Sequence, residues 1–417
     1  MTAALEPAAP TTPTRRFLGW RMVWVAFFVD FIAVGFFFYS YGVFFKSIAA
    51  EFGDSRFGVA IGISLTNVVG ALLAPIIGRA LDRYPLKRVQ TTGAIAMGVG
   101  FLLLGFVDNA VQFYIVLGLF IGFGAGAMGQ LATSKLVASW FVRKRGTALG
   151  IAATGISVSG VVMPSLSAWL IEQFSWREGF MIYGVITLAL VVPLVLRLVI
   201  SRPEDVGLRP DGAMSDAPLP PPIPPEPLSR YLRNRNFWAL VATIGLLFGC
   251  QGATLVHMVP LLTDRGFSLI SASAVMSMTA ALGIGGKLIC GWLVDRWPVR
   301  NALWLGIAFQ VAGLVIMMQM QNYYAFMAGA ALFGFGMGGV VPMQGAIVGA
   351  AFGRDAFGRV LGAMRPPMAM IQILGVPYAG WIFDATGSYE IAQYTFLGCY
   401  ALAVVTVGML RVDTTHA

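Results

Sequence analysis

The sequence predicts an all-α integral membrane protein, with twelve transmembrane helices in two pseudo-symmetric six-helix halves. Three observations predict it. Only 11% of the 417 residues are charged and 58% are hydrophobic, where a soluble domain carries about 25% charged residues. Twelve apolar runs long enough to cross a bilayer follow one another along the chain. Motifs in the first six recur in the last six. With a mean hydropathy of +0.78, the chain must use lipid as its solvent over much of its surface. A soluble enzyme, a secreted disulfide scaffold and a disordered chain are excluded. The net charge of +9 does not indicate a nucleic-acid partner, because no soluble basic face exists to carry one. Cys250, Cys290 and Cys399 each sit in an apolar run with no CxxC or Cys/His cluster, so packed thiols are expected and no metal or cofactor.

A bilayer-crossing helix needs about 20 mostly apolar residues. The runs cover 19–45, 57–79, 89–108, 111–140, 147–172, 179–200, 237–262, 271–294, 300–320, 323–351, 358–383 and 390–410. The first is too long for a cleaved signal peptide and lacks a small-residue cleavage site. Residues 1–18, rich in Ala, Pro and Thr, read as a disordered cytoplasmic tail, and 412–417 as a second tail. With the N-terminus inside, 21 of the 28 Lys and Arg residues fall on the cytoplasmic side and four outside. That asymmetry orients both termini to the cytoplasm, in the inner membrane of the cell.

The one long polar stretch, 201–236, contains PLPPPIPPEP (218–227) and reads as a cytoplasmic linker. It separates an N-terminal half, 19–200, from a C-terminal half, 237–411. The halves repeat: Gly78-x3-Asp82-Arg83 follows the second span and Gly291-x3-Asp295-Arg296 the eighth. Gly146-x3-Gly150 opens the fifth span and Gly358-x3-Gly362 the eleventh. A parallel six-helix repeat places a substrate site between the halves near the midplane, worked by alternating access. The loop charges Asp82, Arg83, Asp295 and Arg296 are expected to be conformational latches.

A charge within a span costs at least about 2.5–3.5 kcal/mol, so each needs a partner or a watered path. Asp30, Lys287 and Arg365 lie on three different spans at a common depth, about 5–8 Å to the cytoplasmic side of the span centres. Shared depth is what one central site requires. Lys287 and Arg365 there would hold a carboxylate, the arginine as a two-pronged fork and the lysine as a point charge. The plain alternatives are that Asp30 neutralises one cation, or that Arg365 snorkels. Ionised Asp30 leaves the site at +1 and protonated Asp30 at +2, so Asp30 is the first candidate proton carrier. His257 in the outer half of the seventh span is the second, as a relay or as a histidine bonded to a neighbouring helix.

Asn67, Gln130, Gln251, Gln344 and Gln372 are mid-membrane amides that would donate to a substrate oxygen or bond across helices. Lys135, five residues before Trp140, is expected to snorkel to the interface. The paired prolines Pro366 and Pro367 suit a kink or a gate. FIGFGAGAMGQ (120–130) sits inside a span without a preceding strand, so helix packing explains its glycines better than a dinucleotide fingerprint does.

GRALDRYPLKR (78–88) and WFVRKRGTALG (140–150) resemble signatures of the major facilitator superfamily, and with the twelve spans the resemblance covers nearly the whole chain. More narrowly, GWRMVWVAFFVDFIAVGFFFYSYGVFFKSIAAEFG (19–53) resembles the monocarboxylate transporters, close relatives of the bacterial oxalate/formate antiporters. GRVLGAMRPP (358–367) and GVPYAGWIFDATGSY (375–389) resemble the same branch. There are departures. Where animal monocarboxylate transporters place a first-helix lysine, this chain has Tyr39, whose hydroxyl would donate to a carboxylate. Where their eighth helix carries an Asp-x3-Arg pair, it has Gly283 and Lys287. One cation on the eighth helix and one near the start of the eleventh, here Lys287 and Arg365, resemble the oxalate/formate antiporters.

The expectation is therefore a secondary transporter, not an enzyme, for a small organic anion. A lactate- or pyruvate-like monocarboxylate with proton symport comes first and oxalate/formate-type exchange second. An exporter of drugs or other lipophilic compounds, or a transport-like sensor, remains as a rival. The expected partners are the anion, protons and the lipid bilayer, with no nucleic acid, and the chain is expected to act as a monomer.

Overall fold

The computed structural model describes residues 17–52, 56–212, 227–319 and 322–411. Twelve long helices account for most of them. We name them α1 (Gly19–Val34, Gly35–Tyr39 and Ser40–Phe52), α2 (Arg56–Arg83), α3 (Leu86–Leu104), α4 (Ala110–Val116, Leu117–Gly122, Phe123–Met128 and Gln130–Trp140), α5 (Arg145–Gln173) and α6 (Trp176–Ile186, Thr187–Val191 and Val192–Leu198). The second six are α7 (Arg235–Asp264), α8 (Leu269–Val294), α9 (Val299–Gln319), α10 (Tyr323–Phe352), α11 (Phe357–Thr386) and α12 (Glu390–Gly408). The twelve expected helices are the twelve found. Eleven segments are long and apolar enough to cross a membrane. The remaining helix, α3, carries Lys87, Arg88 and Gln90 in its first turns, which lowers its apolar character.

Local chemistry ends the helices where the sequence turns polar. Ser175 and Glu178 form a capping box at the start of α6, and Asn109, Ser268 and Asn322 cap α4, α8 and α10. α11 continues through Pro366, Pro367 and Pro377 and stops at Gly387 with φ +69. The N-terminal half packs around rings: Phe36 stacks on Tyr183 at 4.2 Å, and Phe44 and Phe101 close on Phe180. Large apolar side chains such as Leu72, Ile76, Leu119, Met370 and Trp381 remain exposed on the outer surface, as lipid-facing residues must.

The described ends of the chain meet at one face of the bundle. Phe17 packs on Trp140 and Phe141, and Asn236 at the start of α7 holds the backbone of Arg411. At this termini face the two halves touch, α2 against α11, α5 against α8 and α10, and α4 against α10 and α11. The glycines that repeat between the halves pair with each other. A Cβ on Gly78 would overlap the carbonyl oxygen of Gly358, and one on Gly362 that of Ala74. Across the pseudo-axis, a Cβ on Gly146 would overlap Gly291, and one on Gly150 the carbonyl of Lys287. Small residues here let backbones touch.

Between α6 and α7 the structure describes residues 199–212 and 227–234. These form turns at Pro203–Val206 and Pro210–Gly212, and a short helix, Leu228–Leu232, precedes α7. The proline-rich stretch 218–227 lies, apart from Pro227, outside the described residues.

Replacing Gly78 with valine is expected to force α2 off α11 and to destabilise the closed termini face by roughly 1–3 kcal/mol, the usual cost of overpacking. Gly398→Ala is the control, because nothing lies within 4 Å of the added Cβ. Melting of the purified protein in detergent should fall for the first and hold for the second.

Candidate functional site

Two cations of the C-terminal half reach across the seam to polar groups of the N-terminal half. Arg365, half-buried in the third turn of α11, donates from Nη2 to Oε1 of Gln130 on α4 at 2.8 Å. Lys287 on α8 is 8% exposed, and its Nζ donates to Oγ of Ser157 on α5. Among the described residues neither cation has a carboxylate partner. Charge in a low-dielectric interior without a counter-ion is an arrangement that attracts an anion.

Local geometry places each group. α4 leaves the helical path at Gly129 (φ −80, ψ −148) and resumes at Gln130, so Gln130 opens a new helical segment in mid-bundle. Broken helices of this kind recur at transporter sites. Close contact of Gly150 with the Lys287 backbone brings α5 and α8 together, so the lysine side chain can follow α5 to Ser157. Tyr39 ends a π-helical turn, Gly35–Tyr39, in α1. Its ring lies 2.7 Å from where a Cβ on Gly160 would stand. Gly160 is three residues beyond Ser157, so Tyr39 and Lys287 meet neighbouring positions on one face of α5.

The other predicted residues divide. Gln372 is half-buried two turns beyond Arg365, and Asn67 on α2 is exposed. Gln344 is buried, with Nε2 3.7 Å from the Met368 sulfur. Asp30 does not neutralise either cation: it is 2% exposed, and the Thr133 hydroxyl lies 2.9 Å from both carboxylate oxygens. Gln251 is spent inside the C-terminal half, donating to Gln310, whose oxygen also accepts from Tyr400. His257 sits at the end of the bundle opposite the termini, with Nδ1 3.2 Å from the Tyr389 hydroxyl and Nε2 3.0 Å from the Val376 carbonyl. A cavity of about 30 Å³ beside it is lined by Thr254, Tyr389, Gln393 and apolar residues.

Of the four loop charges expected as latches, the two aspartates sit at helix starts. The Asp82 carboxylate accepts from the backbone N–H of Gly358 (3.1 Å) and Arg359 (2.7 Å), capping α11. Its repeat mate Asp295 accepts from Gly146 (2.6 Å) and Thr147 (2.7 Å), capping α5. Each aspartate bridges the halves at the positive end of a helix dipole. Arg83 and Arg296, by contrast, are exposed and lie over the rings of Tyr84 and Trp292 of their own segments.

Lys135 departs from expectation. It does not snorkel: it is 2% exposed, pairs with Asp82 at 2.8 Å, and donates to the Arg354 and Asp355 carbonyls of the α10–α11 loop. The lysine is drawn inward because a buried aspartate and two carbonyl oxygens replace its water. The same loop is held from outside the bundle, where Arg202 pairs with Asp355 at 3.1 Å and Glu204 pairs with Arg354. Asp211 takes the backbone N–H groups of Val142, Arg143 and Lys144. Ser157, Thr133 and these loop contacts carry no sequence signal of their own, since isolated hydroxyls and loop charges are common.

The family model described as Major Facilitator Superfamily matches residues 23–323 and 288–417. The chain belongs to that superfamily and is a multi-pass membrane transporter. Among its relatives, human "Monocarboxylate transporter 11" is 27% identical, with 96% of this chain and 85% of that protein covered. Bovine "Monocarboxylate transporter 13" is 25% identical over 92% and 87%. The Bacillus subtilis "Uncharacterized MFS-type transporter YcxA" is 23% identical over 94% of each. In fold the chain is similar to the transporter FucP in its outward conformation, with a TM-score of 0.70, 18% identity, and 94% and 99% of the two chains covered. It is also similar to a bacterial homologue of ferroportin, with a TM-score of 0.70, 15% identity, and 93% and 98% covered.

Removing one member of a buried ion pair costs about 3–5 kcal/mol. Lys135→Met is therefore expected to loosen the termini face, seen as faster labelling of a cysteine placed behind Asp82. The double variant Lys135→Met/Asp82→Asn, which leaves no unpaired charge, should recover a large part of the protection.

Proposed function

We propose that the protein is a secondary transporter of a small organic anion, a lactate- or pyruvate-like monocarboxylate, moved with a proton by alternating access. The observation that carries this reading is the pair Lys287 and Arg365, two desolvated cations at the seam without a carboxylate partner among the described residues. A carboxylate supplies the missing charge, and charge-assisted bonds are roughly twice as strong as the neutral ones it would replace. The names of the monocarboxylate-transporter relatives support the same class.

Alternating access follows from the two halves, 19–200 and 237–411, rocking about this pair. The positive-inside pattern puts the termini face, with both tails and the linker 201–236, in the cytoplasm. The contacts at Asp82, Lys135 and Asp295 then close the inner side and leave the substrate path facing out. Opening inward requires Asp82 and Asp295 to leave the N-termini of α11 and α5. Asp30, buried in the same half as Gln130 and bonded by Thr133, is the group we assign to proton coupling. His257 guards the outer end of α7.

A second reading, exchange of oxalate/formate-type anions, is favoured by one observation. Asp30 is paired with Thr133 rather than with a cation, so the two cations present a double positive charge that also suits a dianion.

Counterflow in proteoliposomes with mono- and dicarboxylates at two pH values tests both. Lys287→Gln and Arg365→Gln are each expected to lower apparent affinity by about tenfold or more, the worth of one charge-assisted bond. Unchanged affinity in both contradicts the site. Asp30→Asn should keep exchange and lose pH-driven accumulation, and retained accumulation contradicts its coupling role.

A further inference from the structure

We infer that Gln90 is a positioning residue for the transport cycle: its amide takes up the unpaired N–H groups at the break in α4 when the termini face opens. The inference rests on alternating access and on no particular substrate.

Gln90 lies in the first turns of α3 and is fully buried. Neither its Nε2 nor its Oε1 has a hydrogen-bond partner among the described residues. An amide so placed is unfavourable, because both groups give up water on burial and receive nothing in return. Its place on α3 says what it faces. Gly93 is turned to α4, where an added Cβ would stand 2.7 Å from the Met128 nitrogen, and Gly98 is turned to α6, where one would stand 2.7 Å from Leu188. At 3.6 residues per turn, Gln90 points between these two directions, about 60° from that of Gly93.

α3 and α4 run antiparallel and touch along their length. One turn from Gly93 towards the termini therefore brings Gln90 level with the residues just beyond Met128. These are Gly129, Gln130 and Leu131, where α4 breaks. The second segment of α4, Gln130–Trp140, starts there without a side-chain cap. Ala132 and Thr133 both donate to the Gly129 carbonyl. The N–H groups of Gln130 and Leu131, the first two of the segment, have no partner among the described residues. On the α6 side the same level holds Val191 and Val195, which are buried and apolar.

An amide with an acceptor oxygen and two unpaired backbone donors thus lie close together in an apolar interior, without bonding each other in this state. Native interiors rarely leave such groups unpaired, and a second state that pairs them accounts for it. In the present state the segment is tied to the C-terminal half. Gln130 accepts from Arg365, and Lys135 donates to the carbonyls of Arg354 and Asp355. Parting of the halves at the termini face removes these ties. The segment then turns about Gly129, which has no side chain to resist the change, and its first N–H groups come onto Gln90 Oε1. Gln90 favours the open termini face as the seam bonds favour the closed one.

The test is Gln90→Met, which keeps the length and flexibility of the side chain and removes both polar groups. A single cysteine behind Asp82 is labelled with a water-soluble maleimide, in a background with Cys250, Cys290 and Cys399 replaced by alanine. Melting is followed on the same purified protein. Removal of the unpaired amide should raise the melting temperature and slow labelling by about tenfold, the worth of one unsatisfied polar group. A lower melting temperature, or failure of both Gln90→Met and Gln90→Leu to fold, means that the amide is bonded in the closed state and overturns the inference. Unchanged labelling, whatever the melting temperature, means that opening does not involve Gln90, and overturns it too. A wild-type background whose cysteine labels only in denaturant contradicts alternating access, and the inference falls with that reading.

Discussion

The cost of holding charge away from water governs this molecule. A hydrocarbon environment offers no solvent to an ammonium, a guanidinium or a carboxylate, so a buried charge needs a polar partner within the protein. Three solutions appear. Lys135 takes a carboxylate and two carbonyl oxygens. Asp82 and Asp295 take the exposed N–H groups at the starts of α11 and α5. Lys287 and Arg365 take only neutral oxygens. The first two arrangements are electrostatically complete and close a face. The third is incomplete, and its incompleteness is what an anionic substrate would use.

The closed face is pseudo-symmetric in backbone and asymmetric in charge. Gly78 meets Gly358 and Gly362 as Gly291 meets Gly146 and Gly150, and each following aspartate caps the helix that its glycine touches. Only the Asp82 side has a lysine. The position in the C-terminal half equivalent to Lys135 is the apolar Ile347. On that side Asp211 holds the α4–α5 loop instead. Asp211 does so with φ +57, a sparsely populated conformation for a non-glycine residue that three N–H contacts to one carboxylate can sustain. The two ion pairs from Arg202 and Glu204 to the α10–α11 loop add a strap between the end of α6 and the other half. All four residues of these pairs are half-buried.

The fold was legible because its causes are one-dimensional. Run length sets the spans, and the spacing of Gly78, Asp82, Gly291 and Asp295 reveals the repeat. The candidate site was half legible. Buried cations stand out in an apolar run, so Lys287 and Arg365 were visible, as was Gln130. What they touch depends on helix rotation, which a periodic pattern in an all-apolar span does not report. Ser157 and Thr133 were therefore invisible among many hydroxyls. Gln251 resembled Gln130 in depth yet faces α9 and not the seam. Lys135 was misread for the same reason, since its partner Asp82 is distant in sequence and reaches it only through the packing of α2 against α4.

The central claim is that the seam cations form an anion site. Direct binding tests it most simply, with equilibrium binding of radiolabelled pyruvate to the purified protein in detergent in the presence of competitors. Saturable binding is expected, displaced by small carboxylates and unaffected by lipophilic cations. Saturable binding of a lipophilic cation, with no displacement of either label by carboxylates, would contradict it.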